Sequence, residues 1–513
     1  MSKIELRGYQ RAAIKAVVDR LNSSNCQRPM LIVEPCGAGK SYEIAGLINE
    51  LSKNNKEFRM MVITPSAELV LQDYEAITNV IGKDNVGIDS RMVGRFDTQE
   101  RITITNINTI YSDFKFFKRQ DLIIVDEAHQ IRQDDADSKS MYRAVETYFR
   151  SLNPNLCVIG LTATPHRLSE GLIYGSDKFF SDIVHETKFN TLVIGGFLSP
   201  LYCHLPDFKT DFTLAKTNFD GEFVNDTWKL IDTDKAVEFM IKRAARKKKV
   251  LVFAASIEQA EIIKQKIETI TGEEVGLITG STCKTTRASL LERYCDLTSE
   301  NKIKYLVNVQ VLKQGFNNPA IDMVALFRPT KSAALYVQMC CRGSRKSPAT
   351  RKNKCEILDF GGNIERHGFV DEVVYHTNKV KICENNFSYK TCPVCNAACS
   401  KSSEYCPECG FMFAHEKRDR IVKMTLNTKF NVLSNKCNLY KCPVDEIDND
   451  GNIIETYSSI PEAATISGEQ VENIMFALDL ITQYPGVTKP INNWFFHIEN
   501  VETKRTISEV VNG

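Results

Sequence analysis

The stretch "PCGAGKS" (Pro35 to Ser41) packs two glycines, a lysine and a hydroxyl into one turn. Backbone N–H groups of such a turn, with Gly37 and Gly39 free of side chains, can cradle phosphate oxygens, and the helix that follows adds favourable partial charge. Lys40 is then placed to reach β- and γ-phosphates, and Ser41 to ligate Mg²⁺. The full pattern has glycine six residues before Lys40, where this chain has Glu34. Further along, "LIIVDEAH" puts Asp126 and Glu127 at the end of an apolar run. One carboxylate there can hold Mg²⁺ through water, and the next can orient and deprotonate an attacking water. A third set is "TCPVCNAACSKSSEYCPECGF" (Thr391 to Phe411), with the spacing C-x2-C-x10-C-x2-C. Each Cys-x-x-Cys forms a knuckle with two thiolates on one metal, so Cys392, Cys395, Cys406 and Cys409 read as a closed, structural Zn²⁺ site. Cys399 has no partner knuckle and is left out of that set.

These groups need elements to position them. Short apolar runs at Met30–Pro35, Arg59–Pro65, Ile102–Thr105, Asp121–Ala128 and Leu156–Ala163 alternate with stretches of helical period such as "SYEIAGLINELSK". Nearly continuous Ile/Val/Leu strands alternating with helices predict a parallel sheet covered on both faces. Ligands of such sheets sit beyond the carboxyl ends of the strands, which is where Lys40, Asp126 and Glu127 fall. The alternation breaks at "GGFLSP" and restarts with "KVLVFAA", "VGLIT", "IKYLVNV", "MVALFRP" and "CEILDF". The chain therefore divides into α/β domains at 1–194 and 195–382, a Cys-rich segment at 385–415 and an accessory region at 416–513.

The chain has 513 residues, 17 cysteines and a formal net charge of +1. Bulk charge thus argues neither for nor against nucleic acid, and any such surface must be a local groove. The start "MSKIELRGYQR" lacks the apolar core of a secretory signal, and no apolar run is long enough to span a bilayer. A cytoplasmic protein without structural disulfides and without membrane contact is the expectation.

The motifs and their order resemble superfamily 2 helicases of the DEAH-type DNA translocase branch, which includes restriction motor subunits and phage recombination helicases. The resemblance spans roughly residues 4–375. It implies two tandem RecA-like domains and an ATP-dependent helicase. "LRGYQRAAI" resembles the adenine-reading motif, with Arg7 and Gln10 as readers. "GLTATPHR" implies that Thr162 and Thr164, with His129, couple ATP state to domain movement. "LVNVQVLKQGFNNPAID" brings Gly315 to the nucleotide. "YVQMCCRGSR" places Gln338, Arg342 and Arg345 on one short helix, the two arginines as fingers that stabilise the transferring phosphoryl when the domains close. Nucleic-acid contacts are implied at Thr64, Gln72, Thr109, Ser256 and Gln310. Two departures stand out: Cys341 replaces the usual glycine before the first finger, and Asn317 replaces the usual aspartate after "GF".

In the accessory region, "DNDGN" reads as a hairpin turn between strands, Ile460–Ser467 and Glu469–Ile481 as two short helices, and "NNWFFHI" as a closing strand. The helices are similar to helix-turn-helix repeats of phage and intron homing endonucleases. The overall expectation is an α/β protein with two RecA-like domains, a four-cysteine zinc ribbon and a small α+β C-terminal region. It would use ATP and Mg²⁺ to unwind or branch-migrate DNA, forked or branched, as a monomer in replication, recombination or repair. An RNA helicase, a restriction motor and an ATP-binding clamp without productive turnover are the alternatives.

Overall fold

A computed structural model describes residues 6–413, apart from 24–26, 55–56, 133–140, 169, 207, 209, 213–214, 219–221, 313–315, 374–388, 396, 402 and 404, and three strands at 444–447, 453–457 and 494–496. The described chain forms two compact units. The larger comprises Met1–Leu6, Gln10–Phe189 and Ser199–Phe387, and carries two sheets.

The first sheet has the strand order Asp182–Glu186, Met30–Val33, Cys157–Thr162, Leu122–Asp126, Met60–Thr64, Ile102–Asn106, Val86–Ser90, Arg95–Phe96. All neighbours are parallel except the last, a short antiparallel edge. Every residue of Met30–Val33, Met60–Thr64, Leu122–Asp126 and Cys157–Thr162 is buried. Alternate residues of each strand serve different faces: Ile32, Val62, Ile124 and Ile159 pack with the helix Lys40–Asn54. Leu31, Ile63, Val125 and Val158 pack with the helix Met141–Leu152. Burial on both faces is what the unbroken apolar runs require. Gly160 is needed where Phe180 and Ala128 close over the sheet, because a Cβ there would stand 2.4 Å from the Phe180 ring.

The second sheet of this unit runs Val275–Ile278, Tyr305–Val309, Lys249–Ala254, Ile321–Leu326, Cys355–Asp359, Leu201–His204, all parallel. The helices Thr233–Ala244 and Ile257–Thr271 pack on it through Met240, Val237, Ile263 and Ile267. Both sheets are RecA-like in class.

In the second unit, Tyr389–Thr391 and Ala398–Ser400 pair antiparallel around the cysteine cluster. Val444–Ile447 pairs antiparallel with Ile453–Tyr457 and with Trp494–Phe496. The hairpin and the closing strand expected from the sequence are therefore present, whereas the expected helices at 460–481 lie outside the described residues. No helix among the described residues is long and apolar enough to cross a membrane.

Candidate functional site

The phosphate-type loop leaves the strand Met30–Val33 and enters the helix at Lys40. Gly37 and Gly39 both have φ of 90°, a left-handed conformation that a side chain would strain. Gln10 locks the loop from outside: its Nε2 donates to the carbonyls of Ala38 at 3.3 Å and Gly39 at 3.2 Å. Arg7, by contrast, groups with Tyr9 and Phe197 in the second unit. It donates to Tyr9 Oη at 3.2 Å and its guanidinium sits 4.7 Å from the Phe197 ring centre.

Asp126 ends the strand Leu122–Asp126 and Glu127 follows it; the strand Cys157–Thr162 lies between that strand and Met30–Val33. Glu127 takes a left-handed backbone conformation, φ 51°. This turns the chain sharply at the strand end, and Glu127 Oε1 lies 3.8 Å from Lys40 Nζ. Burial alone would raise the Glu127 pKa, but Lys40, His129 and Arg342 outweigh it and hold the carboxylate below its ordinary range. Burial would likewise lower the Lys40 ammonium, yet the Glu127, Cys36 and Asp126 charges keep it above the ordinary lysine value. Asp126 is the opposite case: burial and the neighbouring Glu127 and Asp73 push its pKa well up. Asp126 Oδ1 is buried and accepts no hydrogen bond among the described residues. An orphaned carboxylate oxygen that feels Glu127, Asp73 and Lys40 fits a divalent cation, which would relieve the repulsion of Asp126, Glu127 and Asp73.

Three acidic side chains near the loop were not legible in the motifs. Glu34 is fully buried; its Oε1 accepts from Thr187 Oγ1 at 3.3 Å. Glu43, on the first turn of the helix, is also buried, and burial together with the neighbouring Glu34 charge raises its pKa well above the ordinary carboxyl value. The residue that breaks the glycine pattern is thus one of two neighbouring buried carboxyls. Asp73 is also buried, and burial pushes its pKa up to about 7. Glu34 and Glu43 lie on different elements, so only Glu34, as a departure from the glycine pattern, stood out in the sequence.

Gln72, expected at nucleic acid, donates instead to Ser41 Oγ at 2.8 Å. The reason is the close packing of the helices Lys40–Asn54 and Ala67–Ile81, which turns this face towards the loop. Thr64 and Thr109 are buried; Thr64 Oγ1 donates to the Ser66 carbonyl at 3.4 Å and Thr109 Oγ1 accepts from the Arg91 amide at 3.2 Å. Ser256 caps its helix by accepting from the Gln259 amide at 3.1 Å. Gln310 is exposed, with φ 62°, at the end of a strand of the second sheet.

The two sheets of the larger unit meet at this site. His129 Nδ1 is 3.1 Å from Thr162 Oγ1, and Thr162 Oγ1 also accepts from the Thr164 amide at 3.1 Å. On its other side His129 Nε2 is 3.1 Å from Gln338 Nε2. The imidazole thus stands between Thr162 and Gln338, with one ring nitrogen within hydrogen-bonding distance of each. Gln338 belongs to the helix Ala333–Cys340. Arg342 and Arg345 do not share that helix. The chain leaves it through a 3₁₀ turn, Cys341–Gly343. There Gly343 presses against Cys355, with space for no Cβ: one would lie 2.2 Å from Cys355 Sγ. Arg342 donates to the Phe316 carbonyl at 2.9 Å, and Arg345 to the same carbonyl at 3.1 Å and to Asn317 Oδ1 at 2.7 Å. Asn317 therefore keeps an arginine contact in spite of lacking a charge. Gly315 lies outside the described residues.

In the second unit the ligand atoms of Cys392, Cys395, Cys406 and Cys409 all lie within 4.8 Å of one another. Cys392 and Cys409 sulfurs are 3.5 Å apart, as are those of Cys395 and Cys406. Four thiolates at Zn–S distances of ~2.3 Å in a tetrahedron stand ~3.8 Å apart, so the set fits one metal ion. Gly410, φ 76°, makes the second knuckle turn. Cys399 is buried next to the set, 3.8 Å from Cys406 Sγ.

Comparison with known proteins agrees with this architecture. Residues 3–167 match the family described as type III restriction enzyme, res subunit, and residues 232–347 the helicase conserved C-terminal domain. The chain therefore carries a segment of the type III restriction enzyme res-subunit family and a helicase conserved C-terminal domain. It is 23% identical over 375 residues to the ATP-dependent helicase IRC3 of Saccharomyces cerevisiae, covering 70% of this chain and 51% of that protein. It is 25% identical over 382 residues to the type I restriction enzyme EcoAI endonuclease subunit of Escherichia coli, covering 69% and 46%. The chain thus spans about half the length of these two relatives. Among solved structures, a fragment of an HsdR subunit of a type I restriction enzyme from Vibrio vulnificus YJ016 superposes with a TM-score of 0.52 at 20% identity, covering 69% of this chain and 64% of that one.

Proposed function

We propose that this chain hydrolyses ATP to move along or unwind DNA, on forked or branched substrates, in replication, recombination or repair. The observation that carries the reading is the hydrogen-bonded line Thr164–Thr162–His129–Gln338. It joins the strand end beside Asp126 and Glu127 to the arginine-bearing turn of the second sheet. A nucleotide at the loop would be felt along that line by both sheets.

In this reading Gln10 reads the adenine edge, with Arg7 as its neighbour in sequence. The loop amides between Gly37 and Gly39 cradle the phosphates, and Lys40 neutralises the β- and γ-oxygens. Ser41 and Asp126 would hold Mg²⁺, which neutralises charge on the phosphates when bound. Water attacks the γ-phosphorus, the bond to the β–γ bridging oxygen breaks, and the proton goes to Glu127 Oε. Its low pKa keeps Glu127 in the carboxylate form that accepts it. Arg342 and Arg345 supply positive charge to the phosphoryl oxygens as the cleft tightens, exchanging the Phe316 carbonyl for phosphate. Gln310 and Ser256 remain on the side open to a nucleic-acid backbone, where short polar groups suit sequence-independent contact. The domain limits 1–194, 195–382, 385–415 and 416–513 frame these roles. Zn²⁺ in the four-cysteine set holds the 385–415 ribbon together, and the tail selects the DNA structure. The protein works as a monomer in the cytoplasm.

A restriction-motor reading is second, favoured by the likeness to the EcoAI endonuclease subunit. Steady-state ATP hydrolysis and strand displacement, measured on forks, junctions, duplex, single strands and RNA, test the proposal. Forked or branched DNA should stimulate hydrolysis most and be unwound. Stimulation by plain duplex without strand displacement supports the motor reading instead. Hydrolysis indifferent to every nucleic acid refutes both.

A further inference from the structure

We propose that Cys36 and Cys341 form a reversible disulfide across the nucleotide cleft. Cys36 stands in the phosphate loop of the first sheet, and Cys341 opens the turn that carries Arg342 on the second. Each thiol acts on the other's ionisation, and both residues are buried. The backbones are held together as well. Ser344, itself fully buried, has its Oγ 3.4 Å from the Cys36 carbonyl and 2.8 Å from the Cys341 carbonyl. The pair therefore joins the two sides of the cleft at one point, with a serine bracing the junction.

The surroundings make the two sulfurs unequal. The Cys341 thiol lowers the Cys36 pKa; burial and Glu127 oppose this, Lys40 and Arg342 assist it, and the result is about 6. Cys341 is pushed well up, chiefly by Cys36 and by burial. Cys36 is then the thiolate and Cys341 the thiol. A nucleophile beside a resolving thiol is the pairing that peroxide converts to a disulfide once it enters the cleft. The Cys36 thiolate attacks one oxygen of hydrogen peroxide, giving Cys36 sulfenic acid and hydroxide. Cys341 sulfur, losing its proton, attacks the sulfenic sulfur. The S–S bond forms and water leaves. Two thiols are oxidised and one peroxide is reduced to two waters.

Two consequences follow. The bond would tie the phosphate loop to the arginine-bearing turn, so the cleft could no longer open between ATP turnovers. Nucleotide would protect the pair, because its phosphates occupy the loop that carries Cys36. This second consequence rests on the reading of Pro35–Ser41 as the ATP phosphate loop. The disulfide itself does not.

The test uses the full chain with its zinc, treated with hydrogen peroxide with and without a non-hydrolysable ATP analogue. Non-reducing peptide mass mapping reads the Cys36–Cys341 link, and ATP hydrolysis is measured before oxidation, after it, and after dithiothreitol. The linked peptide is expected, with a loss of activity of about tenfold that dithiothreitol restores. The analogue should slow linkage by about fivefold or more. Cys341→Ser, with each protein's rate expressed relative to its own untreated state, should be spared the loss. Cys36→Ser should leave Cys341 reduced in the same mapping. Oxidation of other cysteines without this link would overturn the proposal, as would equal inactivation of Cys341→Ser. Because mass reads the link directly, a linked protein that never hydrolyses ATP supports the disulfide and refutes the hydrolase reading.

Discussion

Gln338 Nε2 stands 3.1 Å from Nε2 of His129, while the opposite ring nitrogen of His129 stands 3.1 Å from Thr162 Oγ1. One imidazole therefore links the helix of the second sheet to the strand end of the first. If this link carries the coupling, Gln338→Ala and His129→Ala should each lower nucleic-acid-stimulated ATP hydrolysis by about tenfold, and the double variant should fall little further. A double-mutant cycle should then return a coupling on the order of 1–2 kcal/mol. Strictly additive losses would show that the two side chains act apart.

Glu127 is the carboxylate held low by Lys40 and His129, and Asp126 beside it is held high. The pair thus separates into one group ready to accept a proton and one suited to a cation. Glu127→Gln keeps the shape and removes the basic oxygen. Turnover should fall by about a hundredfold or more, while affinity for a fluorescent ATP analogue, read by titration, changes little. More than a tenth of normal turnover in this variant would place the base elsewhere. Lys40→Ala should instead lose binding and turnover together, because its charge meets the phosphates before and during the reaction.

The strands that end at Asp126 and Thr162, and the one that leads into the Lys40 loop, were legible because sheet burial writes itself as local apolar runs. The cysteine set was legible because its two Cys-x-x-Cys pairs fall in one short segment, and the fold brings their sulfurs within 4.8 Å of one another. What stayed hidden depends on contacts between elements. Gln72 faces Ser41 only because two helices pack closely, which no local pattern encodes. Arg342 leaves the helix because Gly343 must touch Cys355 on a strand, a long-range constraint. The Glu34–Glu43 pair looked like a departure from a glycine pattern until the fold put both carboxyls together.

His367 offers a pH test away from the nucleotide. It stacks on Tyr336 with ring centres 5.4 Å apart, and its Nε2 lies 2.9 Å from the Thr330 carbonyl. Burial lowers its pKa to about 4, from the 6.5 of a free histidine. The folded state thus resists a proton that the unfolded state takes up. The stability from the neutral ring is fully present above pH 6.5 and is lost as pH falls towards 4. Chemical denaturation of His367→Gln should show a shallower loss across that window than the parent, by an amount on the order of 3 kcal/mol at its acid end. Parallel pH curves for the two proteins would mean that the ring is protonated at no cost to the fold.

The fifth cysteine separates a metal site from a mere sulfur cluster. Cys399 is buried and 3.8 Å from Cys406 Sγ, close enough to look like a ligand. Yet four other thiols already lie within 4.8 Å of one another in two knuckles, and a tetrahedral ion takes only four. Its sulfur also lies 3.5 Å from the Ala397 carbonyl, as a thiol donor would. The purified protein should therefore carry about one zinc per chain, in line with a single closed four-cysteine site. Cys399→Ala should retain it, and Cys395→Ala should lose it. Strong chelators should make the segment from Thr391 to Phe411 newly sensitive to protease, since so short a segment has little apolar core without the ion. Zinc retained by Cys395→Ala but lost by Cys399→Ala would reassign the ligand set, and a metal-free wild-type protein resistant to protease would remove the ion from the account.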